Sequence, residues 1–137
     1  MNKNGFTFIE LLAIIILIGV ITLVAVPSIR LADKKIQQKN YNAKIELIEK
    51  AAENYGDDHK ELLLYSSSTE KCTDPSSNIE YPCINITVKD LLNNGYISKD
   101  PGLKTEDVLD PRTDKSILNK TISLYIKNSQ VYTILNF

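Results

Sequence analysis

Few side chains in this 137-residue sequence could do chemistry. His59 is the single histidine, and its place in the charged run Asp57-Asp58-His59-Lys60 favours a solvated side chain over a catalytic one. Four carboxylates of one loop could bind a cation, although such a loop is usually only solvated. They are Glu106, Asp107, Asp110 and Asp114. The sequence shows no nucleophile–base pair and no glycine-rich phosphate loop, so we expect no enzyme, no cofactor and no metal site.

Cys72 and Cys83 are the only cysteines. If oxidised, they close a loop of about a dozen residues, which is worth roughly 3 kcal/mol by the loop-entropy argument. A disulfide would indicate an oxidising location outside the cytoplasm. Two unpaired thiols are the alternative, and two cysteines with one distant histidine do not supply the four ligands of a zinc site.

Glu10 is the one ionisable side chain between Phe6 and Ile29, and nearly every residue from Leu11 to Val26 is Leu, Ile, Val or Ala. At about 1.5 Å per residue, a helix over 6–29 reaches roughly 36 Å, enough to cross a hydrocarbon core of about 30 Å. The pattern therefore predicts a transmembrane helix over 6–29. A carboxylate costs about 2–3 kcal/mol near the centre of such a helix and less near its end, so Glu10 needs a partner.

Two features of this segment leave alternatives. A cleaved secretory signal fits poorly, because the apolar run is too long and only Lys3 precedes it. The basic residues after the run, Arg30, Lys34, Lys35 and Lys39, would place the C-terminal part in the cytoplasm by the positive-inside rule. The cysteine pair and the strands described below indicate an exported head instead. We expect export, and the two indications disagree.

A helical pattern continues beyond the apolar run. Apolar and aromatic residues recur at spacings of three and four along one stripe, namely Tyr41, Ile45, Ile48, Ala52 and Tyr55. A single helix from Phe6 to about Tyr55 is predicted, roughly 75 Å long, with Gly56-Asp57-Asp58 as its stop. Pro27 lacks an N–H group, so we expect a bend between Gly19 and Pro27.

The rest of the chain is predicted to form short strands, one short helix and loops. A strand is predicted around Cys83–Ile86, a short helix over Val88–Gly95 and a loop over Lys99–Thr113. Two strands, Thr121–Ile126 and Gln130–Leu135, flank the turn Lys127-Asn128-Ser129 and predict a hairpin. The expected fold class is α+β, with a long N-terminal helix packed on a small antiparallel sheet. A net charge of −1 gives no reason to expect a nucleic-acid partner.

The junction Lys3-Asn4-Gly5-Phe6-Thr7-Phe8-Ile9-Glu10-Leu11-Leu12 resembles the class III signal of type IV prepilins and of the pseudopilins of type II secretion and competence. The resemblance implies that prepilin peptidase cuts between Gly5 and Phe6 and that Phe6 becomes N-methylated. It implies a leader over 1–5, a membrane and assembly helix over 6–29 and an exported head over 30–137. Gly19 and Pro27 stand where this family commonly weakens the helix.

The resemblance further implies the partners and the location. The partners are the peptidase, other pilin or pseudopilin subunits, an inner-membrane assembly platform with its motor ATPase, and the membrane itself. The chain would start in the cell membrane with its head outside and end in an extracellular pilus or pseudopilus. The amine of Phe6, freed by cleavage, can then pair with Glu10 of a neighbouring subunit.

Other interpretations stay open at this stage. Glu10 could instead only offset the positive end of its own helix dipole. The chain could be a membrane-anchored extracellular binding domain that does not polymerise, or an anchored exported enzyme. Its sequence does not distinguish a pilus from a secretion or competence pseudopilus.

Overall fold

The computed structural model describes residues 7–65 and 70–137, without the side chains of residues 23–30. The chain divides into two compact units, Met1–Lys39 and Asn40–Phe137. The second unit is called the head below.

Helix α1 runs from Phe8 to Asp58, which confirms the long N-terminal helix. Its backbone is helical through Pro27, and the Thr22 hydroxyl donates to the carbonyl oxygens of Ile18 at 2.8 Å and Gly19 at 2.9 Å. The bend expected between Gly19 and Pro27 stays a prediction.

Across residues 7–65 and 70–137, no helix combines the length and the apolarity needed to cross a membrane. The transmembrane helix predicted for 6–29 is therefore not confirmed. Of that range, Phe6 and the side chains from residue 23 onward lie outside the described residues.

The head combines the last part of α1 with short elements and a four-stranded antiparallel sheet of order β1-β2-β3-β4. The elements after α1 are α2 (Lys60–Tyr65), β1 (Lys71–Thr73), β2 (Glu80–Thr87), α3 (Val88–Asn93), β3 (Thr121–Lys127) and β4 (Gln130–Asn136). The expected α+β class, with a helix packed on a small antiparallel sheet, is confirmed. Strand β1 and helix α2 were not foreseen from the sequence.

The β3–β4 hairpin matches its prediction except at the turn. Lys127 pairs with Gln130, so the loop contains only Asn128 and Ser129. Both have positive φ, 52° and 65°, as a two-residue primed turn requires. The expected turn of three residues, Lys127 to Ser129, was too long by one, since Lys127 belongs to β3. A two-residue primed turn is favoured because its twist matches that of the flanking strands.

The stripe on α1 faces the core of the head. Ile48 is 1% exposed and Ala52 is fully buried, while the other stripe members are half-buried. Ile48, Ala52 and Tyr55 pack in one core cluster with apolar side chains from α3, the loops and the sheet, including Val88, Leu91, Val108, Ile117, Ile122 and Leu124. The predicted packing of helix on sheet is confirmed at these residues.

Gly56 has a different role from the one expected. The helix continues past it to Asp58, and Gly56 is itself buried. A Cβ atom at Gly56 would lie 2.6 Å from Cγ1 of Val131 on β4. The glycine is therefore needed for the close approach of helix and strand rather than as a helix stop.

Candidate functional site

The first turn of α1 is held by a reciprocal capping box. The carboxylate Oε2 of Glu10 accepts hydrogen bonds from the Thr7 amide at 2.9 Å and from its hydroxyl at 2.8 Å. In return, the Glu10 amide donates to the Thr7 hydroxyl at 3.4 Å. This is the Thr-x-x-Glu signature of a helix start. The sequence interpretation missed Thr7, although the spacing was readable.

The partner of Glu10 in one chain is thus its own helix start. This arrangement matches the alternative in which Glu10 serves the first turn of the helix. Gly5 and Phe6, the predicted cleavage site, lie outside the described residues, as does the amine that cleavage would create. Pairing of Glu10 with a neighbouring subunit stays a prediction.

The residues after this cap expose a continuous apolar surface. Eleven large apolar side chains between Phe8 and Ile21 are 44–81% exposed. They are Phe8, Ile9, Leu11, Leu12, Ile14, Ile15, Ile16, Leu17, Ile18, Val20 and Ile21, and they form what is called the apolar helix surface below. An exposed patch of this size indicates a surface that contacts another apolar partner.

The two cysteines form a disulfide in the head. Cys72 and Cys83 are bonded, with their Cα atoms 5.7 Å apart, which confirms the predicted pair over two free thiols. The bond connects β1 to β2. Since β1 has only three residues, the disulfide adds a covalent link to its short antiparallel pairing with β2.

Asp74 organises the turn that follows β1. Its side chain is nearly buried and accepts hydrogen bonds from the ammonium of Lys127 at 2.6 Å and from the hydroxyls of Ser76 and Ser77. The Lys127 bond, with those from the two serines, holds the pKa of Asp74 well below its usual range. The carboxylate thus joins the β1–β2 turn to the β3–β4 hairpin as a charged structural link.

Two carboxylates of the acidic loop are held by groups of the chain itself. Asp110 binds the guanidinium of Arg112 at 2.8 Å, which lowers the pKa of that carboxyl, and Asp107 accepts from the hydroxyl of Ser116 at 2.6 Å. In the part of the chain that the structure describes, no group of three potential ligands lies close enough to hold a metal. The suggestion of a cation at Asp107, Asp110, Asp114 and Glu106 therefore has no geometric support.

His59 is half-buried rather than solvated, which corrects the sequence interpretation. Its ring stacks on Tyr55 with centroids 4.2 Å apart, and Nδ1 lies 2.8 Å from the Tyr55 carbonyl oxygen. The side chain satisfies a carbonyl at the end of α1. This contact packs the ring against the last turn of α1.

An open groove of about 650 Å³ lies in the head between α1 and the segment that follows α3. Its apolar lining includes Leu47, Ala51 and Pro101. One side is fixed by Lys44, whose ammonium lies 2.6 Å from Asp100.

Comparison with known proteins gives one partial similarity. No family model matches the chain, and no solved structure matches it. A ComG operon protein 3 homolog of Bacillus licheniformis is 30% identical over 59 residues, which is 43% of this chain. The chain spans 61% of the length of that protein. The chain is therefore similar in part to a ComG operon protein 3 homolog, and it combines a capped, exposed apolar helix with an α+β head.

Proposed function

We propose that this chain is a structural subunit, a pseudopilin of the competence type, which assembles with copies or relatives of itself through the apolar helix surface. The observation that carries the proposal is the continuous exposure of the apolar side chains from Phe8 to Ile21. Such a surface is costly in water, and it becomes favourable only against lipid or against other apolar helices.

The proposed assembly is open-ended. When one face of a subunit contacts a different face of the next, and the rotation between them does not close a ring, repetition gives a helical filament. Lipid and neighbouring helices are similarly apolar, so a subunit can leave a membrane for a filament with a small net change in free energy. Association with the membrane before assembly is part of the proposal.

Glu10 supplies a second argument. Both hydrogen bonds that the Glu10 carboxylate accepts in the capping box use Oε2, and Oε1 has no hydrogen-bond partner among the described residues. A carboxylate can accept several hydrogen bonds. Glu10 can therefore bind the Phe6 amine of a neighbour without giving up its cap, and the two interpretations of Glu10 are compatible.

The partial similarity supports the choice of system. The prepilin-like junction from Lys3 to Leu12 fits pilins and pseudopilins alike, whereas the similar Bacillus licheniformis protein is named for the ComG operon. This combination favours a competence pseudopilus over a secretion pseudopilus, and it favours a structural role over an enzymatic one.

Processing is tested by mass spectrometry of the N terminus in the native cell. The mature chain should begin at a methylated Phe6. Gly5→Ala should block or slow the cut, because a side chain then occupies the position next to the scissile bond. Gly19→Ala is the matched control and should be processed normally. A filament subunit that keeps Met1 would contradict the proposal.

The role of Glu10 is tested by comparing Glu10→Gln with Glu10→Ala. Glutamine keeps the capping box and removes the charge, whereas alanine removes both. If Glu10 pairs with a neighbouring amine, Glu10→Gln should lower filament incorporation by about 10-fold, the value of one charge-assisted hydrogen bond. If Glu10→Gln is incorporated normally and only Glu10→Ala is not, the role of Glu10 is to cap its own helix, and pairing with a neighbouring amine is contradicted.

The alternative is a binding domain that does not polymerise, and the open groove of about 650 Å³ favours it. Electron microscopy and crosslinking of the processed chain separate the two. Crosslinked ladders that require the apolar helix surface support assembly, while a processed chain that stays single supports the binding domain.

A further inference from the structure

The two edges of the sheet differ in protection. Strand β1 has three residues, carries Lys71 paired with Glu80 at 3.3 Å, and is tied down by the disulfide. Strand β4 has seven residues and contains no charged residue, no proline and no glycine. Natural sheets usually block an edge by shortness, charge, proline or a bulge. The β4 edge shows none of the compositional blocks.

The register shows which backbone groups β4 offers. Lys127 and Gln130 flank the two-residue turn, so their pair is hydrogen-bonded, and bonded pairs alternate from there. The N–H and C=O groups of Val131, Thr133 and Leu135 therefore point away from β3. Among the described residues, no backbone hydrogen bond outside the β3–β4 ladder reaches these groups.

The sequence of β4 is nearly symmetric about Thr133. Polar residues stand at both ends, apolar residues follow inward, and threonine is central, as Gln130-Val131-Tyr132-Thr133-Ile134-Leu135-Asn136. A two-fold axis at Thr133 would place Val131 opposite Leu135 and Tyr132 opposite Ile134 of a second copy. Each outward residue would then exchange two hydrogen bonds with its partner, and no like charges would meet.

We propose that β4 pairs with β4 of a second copy of this chain, antiparallel and centred on Thr133. The pairing joins two four-stranded sheets into one continuous sheet. It relates two heads side by side and does not use the apolar helix surface, so it stands or falls separately from filament assembly.

Thr133→Pro tests the pairing in the full chain, purified in detergent micelles that cover the apolar helix surface. The Thr133 N–H points away from β3, so proline removes an outward donor and keeps the β3–β4 ladder. The dissociation constant of the dimer, measured by native mass spectrometry, should rise at least about 10-fold. Thr133→Ser keeps the donor and the hydroxyl, and it should stay within about threefold of the wild type.

Two results overturn the proposal. One is a wild-type chain that stays monomeric in the detergent micelles up to a concentration of about 1 mM. The other is a dimer that Thr133→Pro leaves unchanged, since that dimer must use another surface. An unchanged near-ultraviolet circular dichroism spectrum confirms that the variant is folded.

A cysteine pair tests the register even if the proline variant does not fold. Tyr132→Cys and Ile134→Cys chains are made separately and mixed under mild oxidation. In antiparallel pairs without mutual hydrogen bonds the Cα atoms lie about 4.5 Å apart, close enough for a disulfide. The mixture should give a 132–134 crosslink more than about 10-fold above either chain alone. Equal crosslinking in all three samples contradicts the two-fold axis at Thr133.

Discussion

Two parts of one helix carry the same kind of residue in opposite surroundings. Ile15, in the first part of α1, is 61% exposed, whereas Ile48, in the part that belongs to the head, is 1% exposed. Both stand in good helical sequence, so helix formation does not distinguish them. What differs is the cover. The head buries Ile48 against its own sheet, and no described residue of the chain covers Ile15 comparably.

The largest expected effect comes from truncating these two isoleucines. Ile48→Ala should lower the free energy of unfolding of the head by about 2–5 kcal/mol, because it leaves a cavity in the core. Ile15→Ala should change it by less than about 0.5 kcal/mol. All seven tyrosines lie at Tyr41 or later, so urea unfolding followed by tyrosine circular dichroism reports on the head alone.

The same pair separates folding from assembly. Ile15→Ala should reduce filament incorporation while it leaves the head stable. If Ile15→Ala destabilised the head as much as Ile48→Ala, the first part of α1 would be covered by the chain itself, and the comparison would fail.

The next effect comes from the two glycines of α1. Gly56→Ala should destabilise the head by about 1–3 kcal/mol, because its Cβ would lie 2.6 Å from Val131. Gly19 has nothing within 4 Å of the same position, so Gly19→Ala should stabilise the helix by up to about 1 kcal/mol through propensity. Thermal unfolding of the head measures the effect of Gly56→Ala, and hydrogen exchange along α1 measures the effect of Gly19→Ala. Stabilisation by both substitutions would contradict the close approach of Gly56 to Val131.

The smallest effect comes from the two capping boxes. Thr87 caps α3 with Asp90 inside the head, as Thr7 caps α1 with Glu10. Thr87→Ala should cost about 1 kcal/mol of head stability. Thr7→Ala should leave head stability unchanged and only speed amide exchange in the first turn of α1. Equal losses of head stability would mean that the start of α1 and the head unfold together.

Local patterns were enough to predict much of this molecule. The stripe from Tyr41 to Tyr55 and the β3–β4 hairpin depend on spacing and turn residues within a few positions, and both were found. The disulfide was predicted because the sequence offers only one pairing. The cap at Thr7 is equally local, since Thr7 and Glu10 have the Thr-x-x-Glu spacing, but it was not predicted from the sequence.

Other features depend on distant parts of the chain. Asp74 and Lys127 are 53 residues apart in the sequence, and Lys44 and Asp100 are 56 apart. No local sequence pattern can therefore predict either ion pair. Strand β1 is too short to show a period, and it exists because β2 and the disulfide hold it. The role of Gly56 becomes visible only when Val131 is placed beside it.

The Cys72–Cys83 bond links the shape of the head to its surroundings. A strand of three residues makes few hydrogen bonds, so β1 depends on the covalent link to stay on the sheet. Glutathione keeps such thiols apart where chains are synthesised. We therefore expect a newly made, reduced head to have three strands, β2 to β4. Strand β1 joins the sheet when the Cys72–Cys83 bond forms in an oxidising environment, so the fold of the head is completed only there.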